Sequence, residues 1–332
     1  MATSARDVAA LAGVSQRTVS NVVRGYVHVS PETRERVERA IAALNYRPNP
    51  SARSLRSGRT GIIGLAVPEI AAPYFAELAD HVQRTAAAHG LTLLIDQTGA
   101  ERDSELLVLQ GYRGHVIDGL IFSPMALSGE DLAAHHPGVP TVLLGERISD
   151  AEHVTVAIDN VAAAREACTY LLANGRTRIV AIGADVTTNN MGPARARLRG
   201  YQHAHHDAGL TPPPGLAVPT GGWGRVQGHA AVTQLINDGI GFDGLFCFND
   251  QLALGALRAL HEKGRSVPGD VSVVGWDDIE EASFSVPALT TVSPDKTGIA
   301  TAAVTALLAR IAGDATPPQP IICDHRLLVR ES

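Results

Sequence analysis

Cysteine, aromatic residues and long apolar runs are all scarce in this chain, and each scarcity removes a class of protein. Only three cysteines occur, Cys168, Cys247 and Cys323. They stand far apart and without metal-ligand spacing, which excludes a disulfide framework and a cysteine-based zinc site. They read instead as buried thiols. No stretch of about 20 apolar residues is present, so no membrane-spanning helix is expected. The opening MATSARDVAALAGVS carries polar and charged residues where an export signal needs an apolar run, which points to the cytoplasm. No P-loop, HExxH, GxSxG or strand-following GxGxxG occurs, so the sequence offers no catalytic motif and calls for no cofactor or metal. His135-His136 and His205-His206 are adjacent pairs whose side chains point apart, a poor geometry for holding an ion.

What is present is enough for more than one domain. The chain has 332 residues, 45% of them hydrophobic, and can bury substantial cores. Its net charge of −6 hides an asymmetry. The first 60 residues hold ten arginines against Asp7, Glu32, Glu35 and Glu38, a balance of +6, which leaves −12 for the remainder. A small basic head on an acidic body suits a head that neutralises phosphates and a body that stays clear of them.

The head reads as three short helices. Ser4 caps the first, which runs through Val8, Ala9 and Leu11 and meets a turn at Gly13. Ser15 caps the second, with Val19, Val22 and Val23 as its apolar positions and Gln16, Arg17, Thr18 and Asn21 turned to solvent. Ser30 and Pro31 start the third, which carries the stripe Val37, Ala40, Ile41, Leu44. A small Ala9 at the crossing, a bend at Gly13 and a wedge at Val19 have the spacing of a helix-turn-helix. Its second helix is then expected in the major groove. There Arg17 has the fork to bond guanine O6 and N7, and Gln16 and Asn21 have the amides for adenine edges or phosphates.

Beyond Gly61 the pattern changes. Short apolar runs (GIIGLAV, LTLLID, GLIFSP, PTVLLG, VTVAID, RIVAIG, GLFCF, VSVVGW) alternate with amphipathic stretches such as 75–89, 161–174, 195–208 and 251–263. That alternation predicts an α/β class, with parallel sheets covered by helices on both faces. One sheet would need too many strands, so two doubly wound subdomains with a cleft are expected. Ligands in such folds sit at the carboxyl ends of the strands.

The strings RDVAALAGVSQRTVSNVVRG, HVSPETRERVERAIAALNYRPN and SARSLRSGRTGIIGLAVP resemble the LacI/GalR family from start to hinge, and the body resembles that family's periplasmic-binding-protein-like sensor domain. The resemblance implies a helix-turn-helix DNA-binding domain at 1–48, a hinge helix and linker at 49–60, and an effector-sensing domain at 61–332. The sensing domain would divide into about 61–158 with 292–319 and 159–291 with 320–332, crossing near Thr291 and Asp314. It further implies that the hinge folds only when two protomers sit on an operator, with Leu55 at the position of a leucine that wedges into the minor groove. An apolar wedge of that kind bends DNA at a cost of a few kcal/mol. Ser15 opens the reading helix, Arg53 stands beside the wedge, and His28 and Ser30 match backbone-contacting positions.

Family ligand positions map onto Tyr74 and Phe75 in PYFAEL, with Glu69 before them at the same strand end. They map further onto Arg197 in ARARLRGY, Trp223 in WGRVQG, Asn249 in FNDQLALG, Asp277 in VVGWDD, and Asp159 in AIDN at the subdomain junction. One departure stands out. Where several relatives have Asp after the PTVLL-type strand, this chain has Gly145 and then Glu146. A stacking tryptophan with Asp, Asn and Arg suits a polyhydroxylated ligand, so the expected effector is a sugar.

The function expected from all this is a sequence-specific, effector-controlled transcription repressor. It would act as a homodimer on a near-palindromic operator, since one head makes few base contacts. No heptad helix follows RLLVRES, which favours a dimer over a tetramer. An exported sugar-binding protein would share the body but has no use for a basic head. A sugar-processing enzyme would need a catalytic arrangement beyond the carboxylates Asp277 and Asp278.

Overall fold

The computed structural model describes residues 3–23, 26–46, 59–111, 116–135, 138–145, 148, 152–184, 192–212 and 215–332. Arg53, Leu55 and most of the hinge segment, together with Glu146, lie outside the described residues. The chain divides into a unit over residues 1–60 and a unit over residues 61–332.

In the first unit the helices are Ala5–Ala12, Gln16–Val23 and Pro31–Ala43. Ser4 and Asp7 form a reciprocal capping box, and Gly13 takes the left-handed φ of +67° that ends the first helix. Ser15 accepts the Thr18 N–H at 3.1 Å, and Ser30 accepts that of Thr33. The core is Val8, Ala9, Ala12, Val19, Val22, Val37 and Ala40. Leu11 and Val23, expected on the apolar faces, are exposed instead. Val8, Ala9 and Ala12 on the first helix and Val19 and Val22 on the second are the buried positions, and a helix of eight residues has room for only two or three of them.

The second unit holds two six-stranded sheets. The first, in the order β11-β5-β4-β3-β1-β2, is built from Ile62–Val67 (β1), Thr92–Gln97 (β2), Gly119–Phe122 (β3), Thr141–Leu144 (β4), Val154–Ile158 (β5) and Ile321–Cys323 (β11). The second has the order β12-β10-β9-β8-β6-β7. It uses Ile179–Ile182 (β6), Ala217–Val218 (β7), Gly244–Cys247 (β8), Ser272–Trp276 (β9), Thr290–Pro294 (β10) and His325–Leu328 (β12). Among the described residues all pairings are parallel except β10 with β12. Strands such as Gly119–Phe122 and Ile179–Ile182 are buried along their whole length, because helices cover both faces.

The chain passes between the sheets after Ile158, after Pro294 and again between Cys323 and Asp324. The two returns expected near Thr291 and Asp314 therefore fall later. Thr291 is interior to β10, its hydroxyl bonded to Asp250 at 2.6 Å. Asp314 sits in a turn that leads to an edge strand of the first sheet, where Ile321 pairs with Val156. The second unit thus assigns residues 292–294 to the second sheet and 321–323 to the first.

Two helices of the second subdomain, Arg225–Asn237 and Asp250–Glu262, approach so closely that a methyl group on Gly255 would lie 2.0 Å from the Arg225 carbonyl oxygen. Cys168 and Cys247 are buried free thiols, and Cys323 is half-buried. Among the described residues no helix is long and apolar enough to cross a membrane.

Candidate functional site

On the head, Val19 and Val22 face inward, which turns Gln16 and Arg17 outward on the same helix. Thr18 and Asn21 are half-buried at its flanks. Ser15 and Ser30 are exposed, their hydroxyls engaged as helix caps. His28 is exposed and lies edge-on to Tyr26 at 5.3 Å between rings. The head therefore presents an arginine and an amide at the start of a short helix whose opposite side is fixed in a core.

In the body, a cavity of about 160 Å³ lies between the subdomains at the carboxyl ends of the strands. From the first subdomain it is lined by Tyr74, Phe75, Ser123, Met125 and Gly145 among others, and from the second by Asn160, Arg197, Trp223, Asn249, Trp276 and Asp277. Sequence reasoning had placed six of these in the site: Tyr74, Phe75, Arg197, Trp223, Asn249 and Asp277.

Arg197 is the centre of the polar wall. It is only 7% exposed, donates from Nε to Asn160 Oδ1 at 3.0 Å and from Nη1 to the Phe248 carbonyl, and stacks 4.0 Å from the Trp276 ring centre and 5.3 Å from that of Trp223. Asn249 caps the helix Asp250–Glu262 through Oδ1 to the Leu252 N–H, while its Nδ2 holds the Trp223 carbonyl at 2.9 Å. That bond ties the indole-bearing GGWG turn to the strand end. Tyr74 and Phe75 meet edge-to-face at 5.1 Å, and burial pushes the Tyr74 hydroxyl pKa up.

Two expected residues stand elsewhere. Glu69 is exposed in the turn after β1 and is absent from the cavity wall. Asp159 is exposed too, its carboxylate spent on the Ala162 N–H at 2.9 Å as the cap of Asn160–Ala173. Its neighbour Asn160, buried and bonded to Arg197, is the junction residue that reaches the cavity. Asn160 and Trp276 were both missed. Trp276 ends a fully buried strand and reads as core, which its complete burial bears out, yet one ring face covers a guanidinium. Ser123 was legible in principle, since GLIFSP places it at a strand's carboxyl end.

Asp277 is 9% exposed with φ +110°, a conformation rare for a side-chain-bearing residue. Burial raises its carboxyl pKa to about 7, held there against a further rise by Arg197 and then Lys296, with Glu77 opposing them. The sign of the linkage is set by that rise. The native state keeps a proton that the unfolded chain releases near pH 4, so this group's contribution to stability is lost as pH climbs from about 4 through about 7. Asp277→Asn should accordingly gain on the parent by about 2 kcal/mol between pH 5 and pH 8, or roughly 5 °C in Tm. Paired thermal melts at the two pH values check it; a gap that does not widen with pH contradicts the burial argument.

A helix-turn-helix head and a two-sheet body with a largely apolar, ring-lined cavity that has one polar wall between its halves define a ligand-controlled DNA-binding regulator. The family model "Bacterial regulatory proteins, lacI family" matches residues 4–49, and that of a periplasmic binding protein-like domain matches residues 168–332. The ribose operon repressor of Escherichia coli (strain K12) is 33% identical over 324 residues, 97% of this chain and 95% of that protein. The solved lac repressor dimer bound to operator and the anti-inducer ONPF is 29% identical with a TM-score of 0.86, covering 100% of this chain and 99% of that one. A CelR–cellobiose complex is 31% identical at a TM-score of 0.73, covering 99% of each. The chain belongs to the LacI family, and it is an effector-controlled, DNA-binding transcriptional regulator rather than an enzyme.

Proposed function

We propose that this protein is a cytoplasmic, homodimeric repressor whose two heads grip a near-palindromic operator and whose affinity for it is set by a sugar bound between the subdomains. The observation that carries the reading is the assembly of Arg197, Asn160, Asn249 and Asp277 beside the rings of Trp223 and Trp276 in one cavity. Carboxylate, amide and guanidinium groups match vicinal hydroxyls bidentately, and an indole face covers the apolar side of a pyranose. A volume near 160 Å³ suits one sugar ring. The named ligands and partners of the relatives support the same reading: an operator and ONPF for the lac repressor, cellobiose for CelR. In the head, Arg17, Gln16 and Asn21 are proposed to read base edges, with Ser15, Thr18, His28 and Ser30 positioning the backbone. Arg53 and Leu55 are proposed to act at the hinge.

Ligand and operator must influence each other reciprocally if both bias one subdomain angle. Calorimetric titration of the full-length protein with a panel of pentoses, hexoses, disaccharides and nucleobases tests the sugar assignment. Saturable binding of a sugar is expected, and binding of nucleobases alone would overturn it. Footprinting on the DNA flanking its own gene tests the operator assignment separately, and a dimeric mass by light scattering tests the assembly.

A further inference from the structure

Beside the cavity the two subdomains are joined by side chains as well as by the crossing chain. Lys296 opens the helix Lys296–Ile311, which packs on the first sheet, and Glu77 stands on Pro73–Ala88, which covers the same sheet. The Lys296 ammonium, only 9% exposed as a residue, meets the Glu77 carboxylate and donates to the Asp278 carbonyl at 2.8 Å. The other oxygen of Glu77 accepts the Glu280 N–H at 3.0 Å. Asp278 and Glu280 follow β9 and belong to the second subdomain. Two charged side chains of one half thus hold two backbone groups of the other.

The held backbone is itself specially set. Asp278 has φ +49°, directly after Asp277 at +110°, and its carboxylate is fixed by Arg330 at 2.6 Å and Ser293 at 2.9 Å. Asp277 lines the cavity while Asp278 turns its carbonyl to Lys296. Asp277 and Asp278 are consecutive, so a backbone rotation at Asp277 that re-aims its carboxylate also displaces the peptide that Lys296 grips. An ion pair whose ammonium is almost buried and whose carboxylate stays partly exposed is a poor source of net stability, because desolvation and side-chain ordering offset the attraction. It is well suited to fixing one geometry among alternatives.

We propose that Lys296 and Glu77 form a clasp that sets the angle between the subdomains, with the Asp277–Asp278 dipeptide as the link from cavity to clasp. The link rests on Asp277 being an effector contact; the clasp does not, and the test uses the unliganded, full-length protein. Hydrogen–deuterium exchange reads the Glu280 amide, whose acceptor is Glu77 itself. In Lys296→Met and Glu77→Ala this amide should exchange roughly tenfold faster, while amides of Ser272–Trp276 keep their protection. Lys296→Arg should restore most of it. Acrylamide quenching of fluorescence should rise in parallel, because the chain's two tryptophans both line the cavity. Asp277→Asn should alter Glu280 exchange without touching either clasp residue. Unchanged Glu280 exchange in Lys296→Met and Glu77→Ala overturns the clasp, as does an acceleration shared equally by the strand amides, which marks general loss of stability. An unchanged amide in Asp277→Asn overturns the link, and absence of sugar binding would strike the effector reading while leaving the clasp standing.

Discussion

Replacing Arg197 with alanine is expected to abolish the response to the effector and to lower stability by about 3 kcal/mol, roughly 8 °C in Tm. Its guanidinium is buried between two indole rings and donates to Asn160 Oδ1 and the Phe248 carbonyl. Truncation leaves both acceptors without that donor in a low-dielectric wall, a loss of about 1–3 kcal/mol for each such group. It also removes the stronger of the two positive charges that restrain the Asp277 pKa, so Asp277 should become harder still to ionise. Lysine should not rescue the variant, because a point charge supplies neither the fork nor the flat face that stacks on Trp276. The informative contrast is between ligand and DNA. Affinity for the sugar that binds the parent should fall at least about a hundredfold, a loss near 2.7 kcal/mol, while operator affinity without sugar persists. An Arg197→Ala protein that still releases or tightens on DNA at the parent's sugar concentration would remove this residue from the site.

How much of this was legible in the residues depended on which force set each feature. Capping boxes, apolar runs and the periodicity of helices are local, and they located the three head helices and most strands of both sheets. The shared site of Arg197, Trp223, Asn249 and Asp277, which span 81 residues of chain, was reachable only through the family motifs, since no local rule brings them together. Where the reading erred, a tertiary or competing local interaction had the stronger claim. The Asp159 carboxylate went to its own helix terminus, a short-range bond that needs no ligand. Trp276 was hidden because a strand residue can be wholly buried and still offer one ring face to an arginine. The crossings after Pro294 and Cys323 were displaced from expectation because edge-strand pairing, here Ile321 with Val156, leaves almost no signature in a three-residue strand.

Substituting Arg17 by alanine should leave the fold and the cavity intact and weaken specific operator binding by about 3 kcal/mol, roughly a hundredfold, because each of two heads loses a base contact. The side chain is exposed and takes no part in the head core of Val8, Ala9, Ala12, Val19, Val22, Val37 and Ala40, so melting temperature should not move. Two positions on, Val19 is 1% exposed; Val19→Asp would place a charge in that core and unfold the head, giving the loss of binding that a structural cause produces. The distinction between base and phosphate is carried by two further measurements on the footprinted fragment. If Arg17 bonds a guanine, the variant should lose discrimination at one symmetric pair of positions while its salt dependence changes little. If Arg17 only neutralises phosphate, binding should weaken evenly across sequences and the slope of log K against log salt should fall by about two for the dimer. Base discrimination is expected, since the opening turn of this helix is the part that a groove-bound helix presents to base edges. Parent-like affinity and discrimination in Arg17→Ala would mean that the head reads DNA through some other surface.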